Sequence, residues 1–238
     1  MIAIIPARSG SKGVKNKNIK LLGDKHLIAY SILAAKKIPE VKRIIVSTDS
    51  EEYAEIARKY GAEVPFLRPK KFADDNSTDL DVFSHIIEWF DKKNNQIPEL
   101  FIHLRPTSPL RDPNVLNQAI MFFKKNINNS SSMRSAHVAP ESPFKWFLKD
   151  ENSLFQPISG NFSADILNQP RQSFPDVYVP NGYIDIVKSS TILNENKLHG
   201  TKMLVFESPF CAEVDTEDDF KFLEYSLEKD RSFYNKIY

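Results

Sequence analysis

Residues 2–18 of the sequence read IAIIPARSGSKGVKNKN, an apolar run followed by a loop of basic and small residues. The run Ile2-Ala3-Ile4-Ile5 has the length and composition of a buried β-strand. Gly10 and Gly13 lie in the loop behind it, and the whole chain has only seven glycines. In open parallel sheets, ligands bind outside the carboxyl ends of the strands. The stretch therefore predicts a ligand site directly after the first strand of such a sheet.

Much of the remaining chain alternates between strand patterns and helix patterns. The strand patterns cover residues 43–47, 100–104, 183–187 and 203–206, and the helix patterns cover residues 27–38, 51–60, 80–90, 115–123 and 217–228. Strands and helices that alternate at this spacing are typical of βαβ units. We therefore expect an α/β fold with a mostly parallel sheet flanked by helices.

The segment 139–180 interrupts this alternation and contains six of the fifteen prolines. A proline-rich segment without periodicity is typical of an arm or lid laid over a core. We expect one domain over residues 1–238, with 139–180 as its arm or lid. The aromatic residues Phe144, Trp146 and Phe147 would suit an interface or a local core.

The composition excludes several classes of protein. There are 32 basic and 31 acidic residues, and a net charge of +1 argues against nucleic-acid binding through bulk positive charge. The single cysteine, Cys211, allows no intrachain disulfide. No apolar run approaches the roughly 20 residues of a membrane helix, so no membrane partner is expected. The N-terminus lacks a basic region followed by an apolar stretch, so we expect a cytoplasmic protein.

The charges are unevenly distributed along the chain. Between Arg8 and Lys25 there are six basic residues against one acidic residue, a local charge of +5. Between Glu213 and Asp230 there are eight acidic residues against two lysines, a local charge of −6. We call residues 8–25 the basic opening of the chain and residues 213–230 its acidic close.

The basic opening has the chemistry of a phosphate site. Glycines let backbone N–H groups approach phosphate oxygens, and Arg8, Lys12 and Lys17 add positive charge, which suits a nucleoside triphosphate. The spacing of Gly10 and Gly13 fits neither a P-loop nor the dinucleotide-binding motif. On these residues alone, a flexible basic surface loop is an equally good interpretation.

Residues 6–13, PARSGSKG, followed by Lys17-Asn18, resemble the signature of the CMP-N-acylneuraminate synthetases. Further segments resemble that family in the same order, namely residues 45–49, 67–69, 73–78, 105–110, 169–172, 180–182 and 214–217. The matches extend from residue 4 to residue 217, and together they are specific. The resemblance implies a Rossmann-like sheet of the nucleotide-diphospho-sugar transferase type, with residues 139–180 as a dimerisation arm and a homodimer as the assembly.

The family consists of cytidylyltransferases that activate sialic acid and related nonulosonic acids. The reaction that the resemblance implies takes CTP and such an acid and yields a CMP-sugar and pyrophosphate. The anomeric hydroxyl attacks the α-phosphorus, and the protein aligns the reactants and stabilises negative charge.

The resemblance also implies roles for individual residues in nucleotide binding. The triphosphate would be held by Arg8, Ser11, Lys17 and Asn18. Lys12 would either contribute to this site or face solvent. Arg68 and the segment around Ser77 would hold cytosine and its ribose. Without the resemblance, Arg68 would be interpreted as a surface arginine.

The acidic close suggests a metal site. Glu213 and Asp215 alternate, so on a strand their side chains would share one face. Two carboxylates beside a triphosphate suit Mg²⁺. The family usually has aspartate at both positions, and the reach of Glu213 differs by about 1.5 Å. We therefore expect Asp215 to act in catalysis with Arg8 and Lys17, and Glu213 to bind the metal through water or not at all. Asp218 and Asp219 would only favour the dipole of the closing helix.

The sugar acid carries a carboxylate and several hydroxyls. By resemblance, its candidate ligands are Arg105, Lys145, Arg171 and Asn181, although the stem of Lys145 could merely pack beside Trp146. Many relatives have a basic residue before Pro-Asn-Gly where this chain has Val179, so the identity of the sugar stays open.

Two other functions compete with this hypothesis. A cytidylyltransferase for the eight-carbon keto-sugar Kdo would share the fold, but its first loop lacks the Ser-Lys-Gly and Lys-Asn pattern. A non-catalytic nucleotide-binding module is the second alternative, and it would account for Glu213 and Val179. Nucleic-acid binding is the weakest interpretation, because the basic cluster is short.

Overall fold

The computed structural model describes residues 1–158 and 164–230. Residues 159–163 of the predicted arm, and 231–238 at the end of the predicted domain, lie outside the described residues. The elements are β1 (Ile2–Pro6), β2 (Leu21–Leu22), β3 (Lys25–His26), α1 (Leu27–Lys36), β4 (Arg43–Ser47), α2 (Glu51–Lys59), α3 (Asp79–Lys92), β5 (Leu100–His103), α4 (Pro113–Lys125), β6 (Ser132–Val138), β7 (Phe147–Lys149), β8 (Phe155–Pro157), β9 (Tyr178–Lys188), α5 (Ser189–Glu195), β10 (Met203–Glu207) and α6 (Glu217–Lys229).

Six of these strands form one sheet in the order β10-β6-β9-β5-β1-β4. Strands β4, β1 and β5 pair in parallel, and β10 pairs in parallel with β6. Strand β9 runs antiparallel to both of its neighbours, β5 and β6. The expected mostly parallel sheet is therefore confirmed, with one reversed strand in its middle.

Helices cover both faces of this sheet. Because side chains alternate along a strand, Ala3 and Ile5 of β1 belong to one core cluster and Ile2 and Ile4 to the other. The first cluster contains apolar residues of α1, α2 and α4, and the second contains those of α3. Burial of two apolar faces by helices is what holds a parallel sheet together.

Strand β6 was not predicted, because much of its sequence is polar. Its serines Ser132 and Ser135 are buried and satisfied by hydrogen bonds. The hydroxyl of Ser132 donates to the carbonyl oxygen of His199 at 2.8 Å, and that of Ser135 donates to the side-chain oxygen of Asn181 at 2.8 Å. Buried serines of this kind leave no apolar run in the sequence, so the strand pattern is hidden.

A third apolar cluster joins the two ends of the chain. Val14 of the loop after β1 belongs to it together with Val214, and both are fully buried. Helix α6 contributes Phe220, Leu223 and Leu227 to the same cluster. This packing brings the acidic close of the sequence against the basic opening.

The described residues of the segment 139–180 form the two-stranded ribbon of β7 and β8 and three short 3₁₀ helices. Trp146 and Phe147 are 47% and 55% exposed, whereas the ring of Phe144 stacks on Phe174 with centroids 6.0 Å apart. The dimer role of this segment stays a prediction. Within the part of the chain that the structure describes, no helix is long and apolar enough to cross a bilayer.

Candidate active site

A cleft of about 370 Å³ opens where β1 and β5 end, beside the start of α3, and we call it the strand-end cleft. Its lining includes nine of the thirteen side chains that the sequence predicts to take part in catalysis or to bind nucleotide, sugar or metal. These nine residues are Arg8, Ser11, Lys12, Lys17, Asn18, Arg68, Ser77, Arg105 and Asp215. The position agrees with the rule that ligands of open α/β sheets bind at the carboxyl ends of the strands.

The loop after β1 is held in place by Asp49, which follows β4. The carboxylate of Asp49 accepts hydrogen bonds from the backbone N–H and the hydroxyl of Ser9, both at 2.7 Å. Burial alone would raise the pKa of Asp49, but the hydrogen bonds from Ser9 outweigh burial and lower it. Asn18 adds a second tie, because its amide donates to the carbonyl oxygen of Arg8 at 2.9 Å. Asp49 is a positioning residue to which the sequence analysis gave no role, although it stood in one of the matching segments.

Arg8 and Lys12 bridge this loop to the segment before α3. The Arg8 guanidinium donates to the carbonyl oxygen of Asp74 at 2.6 Å and to Asp75 Oδ1 at 3.1 Å. Lys12, whose side chain is 78% exposed, pairs with the other carboxylate oxygen of Asp75. Two cations therefore converge on one exposed carboxylate at the mouth of the cleft.

Arg68 is buried, so its interpretation as a surface arginine is wrong. It is 4% exposed, and its Nη2 donates to the carbonyl oxygen of Ser47 at 2.6 Å. Burial lowers the pKa of Arg68 to about 10, which leaves the guanidinium charged at neutral pH. Its Nε is also buried and has no hydrogen-bond partner within the described residues. Arg68 thus offers a rigid, water-shielded cation at the back of the cleft.

Lys17 connects the basic loop to the acidic close. Its Nζ donates to the carbonyl oxygen of Val214 at 2.6 Å and to Asp215 Oδ1 at 3.2 Å. Gly13 makes a further contact, because a Cβ at this position would overlap the carbonyl oxygen of Asp215. The exposed carboxylate of Asp215 consequently lies beside the predicted phosphate loop.

Of the two carboxylates predicted to bind the metal, Asp215 lines the cleft and Glu213 does not. Glu213 and Asp215 do not lie on a strand, since residues 208–216 form a loop. The Val214 N–H donates a hydrogen bond to the carbonyl oxygen of Thr107 at 2.8 Å, which attaches this loop to the segment after β5. Glu213 Oε1 instead accepts a hydrogen bond from the hydroxyl of Ser108 at 3.2 Å. Among residues 1–158 and 164–230, no group of three or more His, Cys, Asp or Glu side chains could hold a metal by itself.

Arg105 lines the cleft as part of an ion-pair cluster. Its two terminal nitrogens donate to Asp79 Oδ2 at 2.8 Å and to Asp185 Oδ2 at 2.9 Å. Burial would raise the pKa of Asp79, but the charges of His103, whose ring is protonated in acid, and of Arg105 outweigh burial and lower it to about 2. Sequence reasoning missed Asp79 and Asp185. A carboxylate inside the apolar strand at residues 183–187 was the available signal, because such a residue needs a buried partner.

Three predicted sugar ligands do not line the strand-end cleft. Arg171 lines a separate pocket of about 210 Å³, and its Nη2 donates to the carbonyl oxygen of Ala139 at 2.8 Å. The Nζ of Lys145 lies 5.8 Å from the centre of the Phe174 ring. Asn181 is buried, and its amide donates to the hydroxyl of Ser208 at 3.0 Å. Their roles in sugar binding stay predictions.

Comparison with known proteins identifies relatives over almost the whole chain. The chain is 33% identical over 232 residues to the post-translational flagellin modification protein B of Campylobacter coli, and the alignment covers 96% of this chain and 95% of that protein. It is 34% identical over 230 residues to the CMP-N,N'-diacetyllegionaminic acid synthase of Campylobacter jejuni, with 95% and 94% covered. It is 32% identical to the N-acylneuraminate cytidylyltransferase of Escherichia coli, with 93% of this chain and 50% of that protein covered.

A solved structure shares the fold. It is a CMP:2-keto-3-deoxy-manno-octonic acid synthetase complexed with CTP, with a TM-score of 0.70. The alignment covers 96% of this chain and 98% of that chain at 15% identity, which supports a common fold and nothing finer.

The family comparison agrees with the resemblance seen in the sequence. The family model described as "Cytidylyltransferase" matches residues 2–196, which contain eight of the nine predicted residues of the strand-end cleft. The chain therefore belongs to the cytidylyltransferase family.

Proposed function

We propose that the protein couples CTP to the anomeric hydroxyl of a sialic-acid-like nonulosonic acid and releases pyrophosphate. The observation that carries this proposal is the convergence of Arg8, Lys17 and Asp215 on one cleft at the strand ends. The substrate class is supported by the relatives, whose names include a CMP-legionaminic acid synthase and an N-acylneuraminate cytidylyltransferase.

The nucleotide is proposed to lie along the basic loop. Arg8, Ser11 and Lys17 would hold the triphosphate with the backbone N–H groups of the loop, and Lys12 would contribute from the cleft mouth. The buried guanidinium of Arg68, together with Ser77, would bind cytosine and its ribose. Because Asn18 fastens the loop through the Arg8 carbonyl, it would keep the phosphate ligands in register. In this arrangement the protein supplies orientation and positive charge, which are the main demands of phosphoryl transfer.

The residues present fit a divalent cation such as Mg²⁺. Mg²⁺ favours one or two carboxylates together with substrate phosphate oxygens and water. Asp215 offers one exposed carboxylate at the cleft, whereas Glu213 is turned towards Ser108. We therefore propose Asp215 as the protein's ligand, with Glu213 outside direct coordination. When bound, the ion would neutralise charge on the phosphates.

The sugar acid is proposed to enter beside Arg105. Lys145, Arg171 and Asn181 do not line the strand-end cleft, so we propose that a second subunit or a movement of the chain brings them to this site. We propose one domain over residues 1–238, with 139–180 as an arm that completes the site of a partner subunit in a homodimer. The exposed aromatic residues Trp146, directly before β7, and Phe147, at its start, support this assembly. A cytoplasmic location follows from the proposal, because CTP is available there.

The test is a pyrophosphate-release assay with CTP, Mg²⁺ and four acids in parallel, namely sialic, legionaminic, pseudaminic and Kdo. Turnover with one or more of the first three is expected. Turnover with Kdo alone would replace the proposal by the Kdo alternative. Tight CTP binding without turnover on any acid would identify a non-catalytic nucleotide-binding module.

A further inference from the structure

A fully buried carboxylate lies in the middle of the sheet and has no part in the function proposed so far. It belongs to Asp185 of β9, which is 0% exposed and pairs across the sheet with His103 of β5 and Arg134 of β6. A buried charge is costly unless it is paired and hydrogen-bonded. The residues that pair with Asp185 therefore indicate the role of its side chain.

The strongest partner of Asp185 is the cleft residue Arg105. Asp185 Oδ2 accepts from one terminal nitrogen of the guanidinium at 2.9 Å, and Asp79 Oδ2 accepts from the other at 2.8 Å. The two carboxylates come from different elements, β9 and the first turn of α3, so they fix the plane of the guanidinium from two directions. Arg105 and Asp79 line the cleft, whereas Asp185 supports Arg105 from behind.

The cluster is close to electrically neutral. His103 lies between the carboxylates, with Nε2 at 3.8 Å from Asp79 and Nδ1 at 3.7 Å from Asp185. Burial lowers the pKa of His103 to about 4, so the ring is uncharged at neutral pH. Arg134 Nε lies 3.7 Å from the other Asp185 oxygen, and therefore two arginines balance two aspartates.

Because of this neutrality, the part of the cleft lined by Arg105 and Asp79 differs from the basic loop that also lines it. The loop carries cations suited to phosphate, whereas Arg105 is a fixed hydrogen-bond donor next to an acceptor, Asp79. A donor and an acceptor side by side suit hydroxyl or amide groups, each of which can donate and accept. A polyhydroxylated sugar acid has such groups.

We propose that Asp185 is a positioning residue that acts through Arg105 to set the affinity of the enzyme for the hydroxyl-bearing part of the sugar acid. This inference rests on the proposed function. It predicts that Asp185 affects the KM for the sugar acid and leaves the KM for CTP unchanged, although neither substrate touches it.

The test compares wild type with Asp185→Asn, Arg105→Lys and the double variant, using an acid that the wild type turns over. Asp185→Asn is expected to raise the sugar KM by about 10- to 100-fold, the range of a lost charged hydrogen bond. The double variant should be no worse than Arg105→Lys alone, because both changes remove the same contact. Glu88→Gln, on the exposed part of α3, is the control and should keep both KM values.

Thermal unfolding of each variant separates misfolding from mispositioning. If Asp185→Asn does not fold, Asp185→Glu keeps the buried charge but displaces the carboxylate from the Arg105 guanidinium, and it should give the same sugar-specific effect. An unchanged sugar KM, equal effects on both substrates, or additive effects in the double variant would each overturn the inference while leaving the proposed function intact. No turnover by wild type on any acid would overturn both.

Discussion

The Nζ of Lys17 lies 3.2 Å from Oδ1 of Asp215, which joins positions 198 residues apart in the sequence. Burial of Val14 and Val214 in one apolar cluster holds the two segments together. The basic opening and the acidic close of the chain are therefore two walls of one site. This contact explains how a protein of almost zero net charge assembles a strongly polar cleft.

Gly13→Ala is expected to separate these two walls. A Cβ at position 13 would overlap the backbone carbonyl oxygen of Asp215, and a backbone atom cannot rotate away as a side chain does. We expect a loss of stability of about 1–3 kcal/mol, typical of overpacking, together with a large fall in kcat. Chemical denaturation and steady-state kinetics measure the two effects. Lys15→Ala, an exposed change in the same loop, is the control, and equal behaviour of the two variants would refute the contact.

Glu213→Asp is expected to keep or raise turnover. The carboxylate of Glu213 contacts the Ser108 hydroxyl outside the cleft, so shortening the side chain removes no cleft ligand. The Mg²⁺ concentration at half-maximal rate should stay the same or fall. A collapse of kcat in this variant would mean that the glutamate geometry is specifically required.

The lowered pKa of the buried His103 predicts that the folded protein loses stability in mild acid. Its pKa is lowered from 6.5 to about 4 in the folded protein, so below pH 6.5 the unfolded chain binds a proton that the folded protein does not. The free energy of unfolding should therefore fall by roughly 3 kcal/mol between pH 6.5 and pH 4 from this residue. Asp79, with a folded pKa of about 2 against 3.8, contributes its loss only at lower pH.

Urea unfolding of His103→Gln at several pH values checks this prediction. The variant keeps the background from the other histidines, so only the His103 contribution should disappear between pH 6.5 and pH 4. Its stability curve should be flatter than that of the wild type over this window. Parallel curves would show that His103 takes up its proton equally in both states.

The β7–β8 ribbon is expected to mediate the proposed homodimer. Phe147→Glu should shift the protein from dimer to monomer in analytical ultracentrifugation, because it places a charge in an apolar interface. It should also reduce turnover if the arm completes the partner's site. Phe222→Glu changes an equally exposed aromatic residue on α6 and should leave the dimer unchanged. A monomeric wild-type protein would contradict the prediction.

The sequence was most informative where local chemistry decides structure. The strand pattern at residues 2–5 and the glycine loop behind it predicted the position of the cleft, because strand ends and phosphate loops have local signatures. Strand β6 escaped prediction, since Ser132 and Ser135 are satisfied by distant partners that no local pattern reveals.

The same limit applies to individual site residues. The turn of Glu213 towards Ser108 and the support of Arg105 by Asp185 both depend on contacts between segments about 80 to 105 residues apart. Lys145 and Arg171 lie in the segment 139–180, whose proposed role involves a second subunit. Such long-range relationships are set by tertiary packing and leave no periodic pattern.

The most direct test of the central claim is pyrophosphate release with CTP and the best of the four acids, measured for two pairs of variants. Lys17→Gln and Asp215→Asn each remove one charge of the ion pair that lines the cleft. Lys15→Gln and Asp218→Asn remove exposed charges in the same two segments of the chain. We predict a fall of about 100-fold or more in kcat for each of the first pair, with the fold intact, and rates close to wild type for the second pair. Wild-type rates in Lys17→Gln or Asp215→Asn would contradict the account.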